Sequence, residues 1–108
     1  MANFSEEIIN LVWEKAQKDS NNNPAVFRKD YAGAWIRRDA YGDIGNAYGW
    51  EIDHMLPSSM GGGDDINNLV PLHCQNNRRK GDNYPKWETA ITSDGVKNVK
   101  KIKKWRIG

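Results

Sequence analysis

Between Trp50 and Gly81 the hydrophobic pattern changes period, and this change restricts the fold more than any other feature of the chain. Trp50-Glu51-Ile52-Asp53-His54 alternates apolar with acidic residues, as a half-buried strand does. Trp50, Ile52 and His54 would share one face of it, and Glu51 and Asp53 the other. A polar loop follows from Pro57 to Asp65, including Gly61-Gly62-Gly63, and then a short apolar run, Leu69-Val70-Pro71-Leu72, suited to a second strand. Cys74 to Lys80 contains no breaker and can form a turn or two of helix, ended at Gly81. The order strand, loop, strand, helix predicts a compact hairpin with a helix laid across it.

The flanking segments add less. Residues 5–18 read as a helix, with Ser5 as N-cap, Glu6 and Glu7 in the first turn, and Phe4 and Ile9 at staple positions. Ile8, Ile9, Val12, Trp13 and Ala16 give it one apolar face. Asp19 to Pro24 is a loop, and residues 25–42 leave helix and strand both open. Pro85 would suit the first position of a further helix over residues 84–91. Val96 to Gly108 allows helix or strand. The expectation is one α+β domain spanning 1–108, with a core motif at 50–82.

Cys74 is the only cysteine, so there can be no intrachain disulfide and no cysteine-rich zinc site. No apolar run approaches the ~20 residues needed to cross a bilayer, and the first seven residues lack the basic start and apolar core of a secretory signal. The expected location is therefore the cytoplasm, with no membrane partner. The formal net charge is only +2, but it is unevenly placed. Residues 78–108 hold ten Lys/Arg against three acids, a net of +7, while residues 1–77 carry a net of −5. A basic end on a near-neutral chain suits a polyanion such as nucleic acid, although a solvated lysine-rich tail has the same composition.

The segment from Glu51 to Asp82 resembles the HNH endonuclease family. The residues that carry the resemblance are Asp53-His54 at a strand end, Pro57, the loop Gly61 to Asp65, Asn68-Leu69, and Asn77 before Arg78-Arg79-Lys80. His54 to Asn68 spans fourteen positions and Asn68 to Asn77 nine, as in the family. The upstream Ile36-Arg37-Arg38-Asp39 is similar to the Arg-Asp segment that often precedes the Asp-His strand. The resemblance implies a ββα-metal fold, with an added N-terminal helix and a basic C-terminal segment. Many members hold a structural zinc with four cysteines, two of them at the positions of His73 and Asn76. This chain has none of these cysteines and resembles the zinc-free branch, in which packing by Trp35, Trp50, Trp87 and Trp105 would replace the metal and Cys74 would be a buried small hydrophobe.

The implied chemistry is metal-dependent hydrolysis of a phosphodiester. Asp53 and the side-chain oxygen of Asn77 are hard donors, suited to one divalent ion, Mg²⁺ first and Mn²⁺ next. His54 would take the proton of the attacking water. It can do so beside Asp53 only if the strand bends or ends there. Asn68 would bridge the loop and orient the His54 backbone or ring. Arg78, Arg79 and Lys80 would neutralise flanking phosphates, with Lys97, Lys100, Lys101, Lys103, Lys104 and Arg106 widening that footprint. Arg37 or Arg38 would instead pair with Asp39 or other acids. Asp64 and Asp65 read as solvated loop residues, and His73 is a minor site candidate. Each of these residues also has a structural reading, such as a hydrogen-bonded histidine, a turn aspartate or surface decoration; it is the ordered series that favours chemistry. DNA stands ahead of RNA as substrate. No base-reading pattern is visible, so specificity would be low or would come from a protein partner, and oligomeric state is open. The alternative is an HNH-like module that docks nucleic acid or an assembly without cutting.

Overall fold

A computed structural model describes residues 3–107. Its centre is the antiparallel pair β3 (Trp50–His54) and β4 (Leu69–His73), crossed by helix α2 (Cys74–Lys80). The register pairs Trp50 with His73 and His54 with Leu69. Pro71, opposite Ile52, is tolerated because a two-stranded ribbon leaves each strand an unpaired edge. The alternation read from the sequence sets the two faces. Trp50 and Ile52 join the main apolar cluster with Ile9, Val12, Trp13, Ile36 and Leu69, while Glu51 and Asp53 face α2.

The N-terminal helix α1 (Glu6–Trp13) is shorter than residues 5–18. Ser5 Oγ caps it by accepting from Ile8 N at 3.2 Å, and Phe4 packs against the cluster that holds Ile9. The helix stops early because long-range partners take over its C-terminal end. Gln17 pairs with Lys29, and the buried Arg28 guanidinium donates to the carbonyls of Trp13, Glu14 and Ala16. Carbonyls at and just past a helix end run short of backbone donors, and a cation is a favourable partner for them; the Trp13 carbonyl also accepts from Ala16 N.

Residues 25–42 resolve into both alternatives. Strands β1 (Phe27–Lys29) and β2 (Trp35–Arg37) pair antiparallel, and a 3-10 turn follows at Arg38–Ala40. Residues 84–91 do not form the expected helix. Strand β5 (Lys86–Glu88) lies there and pairs with β8 (Lys104–Arg106), while β6 (Ile91–Asp94) pairs with β7 (Lys97–Lys100). The C-terminal strands supply partners that no local window contains: Trp87 sits opposite Trp105, and Ile107 N donates to Pro85 O. The architecture is α+β. Among the described residues no helix is long and apolar enough to cross a membrane.

Asp30 ties the two halves together. It is fully buried, and its Oδ1 accepts from Ala32 N and Ala34 N, its Oδ2 from His73 N and Asn76 Nδ2. Asn76 in turn accepts from Ala90 N and Ile91 N and donates to Ile91 O. This polar knot links the β1–β2 turn, the β4–α2 junction and β6. It includes His73 and Asn76, two positions where the zinc-bearing branch places cysteines.

Candidate active site

Strand β3 ends at His54, and this ending lets two neighbouring residues serve one cleft. Asp53, His54 and Asn77 line the same cavity of about 260 Å³, with Pro57, Ser58 and Asp82 around them. A second cavity of about 380 Å³ adjoins it and shares Ile52, His54, Ser58 and Asn77, adding Phe4, Tyr41 and Glu51.

Asp53 is buried, at 6% exposure. One oxygen, Oδ1, lies 3.4 Å from Lys80 Nζ; the other, Oδ2, is buried without a hydrogen-bond partner. Burial pushes the carboxyl up to about 6, against the pull of the Lys80 ammonium and, less strongly, of His54. Asn77, one face of α2 away, commits its Nδ2 to Glu51 Oε1 at 3.2 Å, which leaves its carbonyl oxygen as the amide's acceptor. Glu51 was not singled out in the sequence, although its position two residues before Asp53 on the same strand face was the signal for it.

His54 Nε2 lies 2.6 Å from Asp64 Oδ1. Asp64 keeps an exposed side chain, at 64%, but it is paired rather than merely solvated as the loop composition suggested. A carboxylate on Nε2 fixes the proton there and leaves Nδ1 with the lone pair. Asn68 holds the loop closed: its Oδ1 accepts from Leu56 N at 2.8 Å, and its Nδ2 donates to Leu56 O and Gly63 O. Its partner is therefore the backbone two residues past His54, not His54 itself. Only glycine fits at position 62, because a Cβ there would run into the Leu56 carbonyl.

Lys80 departs furthest from expectation. It is wholly buried, and its Nζ donates to His54 O at 3.1 Å as well as to Asp53. Lys80 faces inward and cannot meet a phosphate as the basic triplet suggested. Arg78 and Arg79 stay exposed, as do Lys97, Lys100 and Lys101 on and beside β7. Arg37 pairs with Asp39, and Arg38 with Glu6. His73 is not in the cleft. It caps α2, with Nδ1 accepting from Gln75 N and Nε2 donating to Ala47 O. Cys74 is buried, and burial pushes its thiol up to about 12.

The donor set fits one hard cation. It offers a buried carboxylate oxygen with no partner and an amide oxygen lining the same cleft. Among the described residues there is no group of three or more His, Cys, Asp or Glu that could hold a metal, so a softer, fully protein-ligated site is not built here.

A hairpin crossed by a helix, with an Asp-His pair at the strand end, defines a nuclease-type site. The family model for HNH endonucleases matches residues 31–86, just over half of the 108-residue chain, and the chain belongs to the HNH endonuclease family. Searches of curated proteins and of solved structures return no match. Membership points to nuclease-type chemistry on a nucleic-acid substrate, and HNH nucleases generally use a divalent metal.

Proposed function

We propose that this chain is a metal-dependent endonuclease, acting as one unit, that hydrolyses phosphodiester bonds in DNA with Asp53 and Asn77 as metal ligands and His54 as base. The observation that carries the reading is the meeting of these three side chains in one cleft, with Asp53 Oδ2 buried and unpartnered. When bound, a divalent ion, Mg²⁺ first, supplies charge stabilisation at the phosphate and at the leaving oxygen. Each residue then has a task that follows from its contacts. Asp64 holds the His54 ring with its proton on Nε2, and Nδ1 accepts the proton of the attacking water. Glu51 fixes the orientation of the Asn77 amide. Lys80 steadies the Asp53 carboxylate and the His54 carbonyl from beneath. Asn68 closes the loop that delivers Asp64.

The test is cleavage of supercoiled plasmid by purified protein with Mg²⁺ or Mn²⁺, with and without EDTA, beside His54→Ala. Nicking or linearisation should need the metal and should fall by about 10²-fold or more in His54→Ala, with DNA binding retained. Cutting in EDTA, or a fully active variant, overturns the mechanism. Binding with no cleavage under any divalent ion favours the docking module instead.

A further inference from the structure

A cavity of about 800 Å³ lies outside the cleft, between the end of α2 and the β5–β8 ribbon. Arg79, Lys86, Lys104 and Arg106 line it, with Glu88 the single acid. It shares no lining residue with the cleft but lies next to it along the chain, since Asp82 lines the cleft and Asn83 the groove.

The ribbon register makes this charge informative. Lys86 stands directly opposite Arg106, while Glu88 stands opposite Lys104. Strand alternation puts these four residues on one face and Trp87 and Trp105 on the other; both tryptophans pack around Tyr31 and also border the groove. Like charges directly across a ladder destabilise a sheet. Glu88, the acid on this face, stands opposite Lys104 by register and is paired with Arg79 at 3.4 Å. Lys86 and Arg106 thus form a like-charged pair across the ladder, lining a cavity that follows the cleft in sequence. An anionic backbone passing through the groove would neutralise it.

We infer that this groove is a second nucleic-acid contact, which seats the phosphates of the strand leaving the cleft on Lys86, Arg106, Lys104 and Arg79. The inference rests on the nuclease reading for the identity of the polyanion. The phosphodiester chain is common to single-stranded and duplex DNA, and the assay separates them.

Fluorescence anisotropy in EDTA, with a labelled oligothymidylate and with a duplex of equal length, compares the wild type with Lys86→Ala/Arg106→Ala and with Lys97→Ala/Lys100→Ala on β7. The groove variant should bind at least about tenfold more weakly at low salt. Its slope of log affinity against log salt should fall by about 1.4 for the single strand, or about 1.8 for the duplex, as expected for two lost phosphate contacts. The arm showing the full fall identifies the form that occupies the groove. The same variant should melt no lower than the wild type, because a repulsion has been removed. An unchanged slope on both substrates overturns the groove, as does a variant that loses stability but not affinity, or a fall confined to the β7 variant. Plasmid cleavage by the same proteins separates the two readings. A wild type that cuts while the groove variant binds normally leaves the nuclease standing without the groove. Groove-dependent binding without cleavage under any divalent ion does the reverse.

Discussion

Replacing Asp30 tests whether a polar knot does in this chain what a structural metal does elsewhere. Asp30→Ala strands four buried or half-buried donors at once: Ala32 N, Ala34 N, His73 N and Asn76 Nδ2. Each buried donor left unpaired costs about 1–3 kcal/mol. The sum is not additive, because water can enter the vacated space and satisfy part of the set. There is also an offset. Burial raises the Asp30 carboxyl above its ordinary range in spite of its four donors, so the wild type already bears a desolvation cost that the variant sheds. A net loss of about 3–4 kcal/mol is expected, a large share of the ~5–15 kcal/mol typical of a domain. At roughly 4 °C per kcal/mol, the melting point should fall by about 12–16 °C. Asp30→Asn is the sharper probe. It keeps one oxygen for two donors and turns an NH₂ toward the other two, so about 2 kcal/mol or more should still be lost. Urea unfolding of the three proteins reads these differences through the midpoint at constant slope. An Asn variant within ~0.5 kcal/mol of the wild type would refute the reasoning, because shape alone would then account for the site.

Other substitutions separate the site from its supports. Asp64→Asn should lower single-turnover cleavage by about 10–100-fold with nucleic-acid affinity unchanged, since it loosens the base and removes no phosphate contact; wild-type rates would make the His54 pairing incidental. Lys80→Met should destabilise by about 3 kcal/mol in urea while leaving the salt dependence of DNA binding untouched, because the ammonium is paired to Asp53 inside the protein. A reduced salt slope with full stability would return Lys80 to the surface. His73 gives a pH signature: burial, as the largest cause, lowers its folded pKa, so below about 6.5 the unfolded chain takes up a proton that the folded chain refuses. Stability should fall on acidification through that window by up to ~1.4 kcal/mol per pH unit, and His73→Gln should remove that share of the slope. Equal slopes in the two proteins would count against a neutral His73.

The hairpin and crossing helix were legible because their signals are local. Alternation over Trp50–His54, the glycine loop, the run at Leu69–Leu72 and the stop at Gly81 each fix structure within a few residues. What was not legible depends on partners distant in sequence. Strand β5 exists because Trp105 and Ile107 return to it, and α1 ends where Arg28 and Lys29 take its last groups. The basic triplet misled for a different reason. Arg78, Arg79 and Lys80 are alike in composition, but a helix turns about 100° per residue, and Lys80, three after Asn77, comes round to the strand-facing side. Read against Glu51 and Asp53, two apart on the strand, that spacing already pairs 77 with 51 and 80 with 53.

Those pairings bear on how a helix of seven residues can carry Asn77, the proposed metal ligand. Such a helix has no stability of its own, since isolated helices below ~12–15 residues are marginal in water. Apolar packing contributes little here, because Cys74 is its only buried apolar residue. Polar bonds on successive faces hold it instead: Asn76 to Asp30 and β6, Asn77 to Glu51, and Lys80 to Asp53 and His54. Such bonds are directional where apolar contacts are not, so they fix the rotation of α2 about its axis as well as its distance from β3. That rotation decides whether the Asn77 amide reaches the cleft. In a chain whose single cysteine rules out a four-cysteine zinc site, the buried Asp30 and Lys80 thus set the geometry of the candidate site through the same contacts that hold the fold together, and neither property can be altered at these positions without the other.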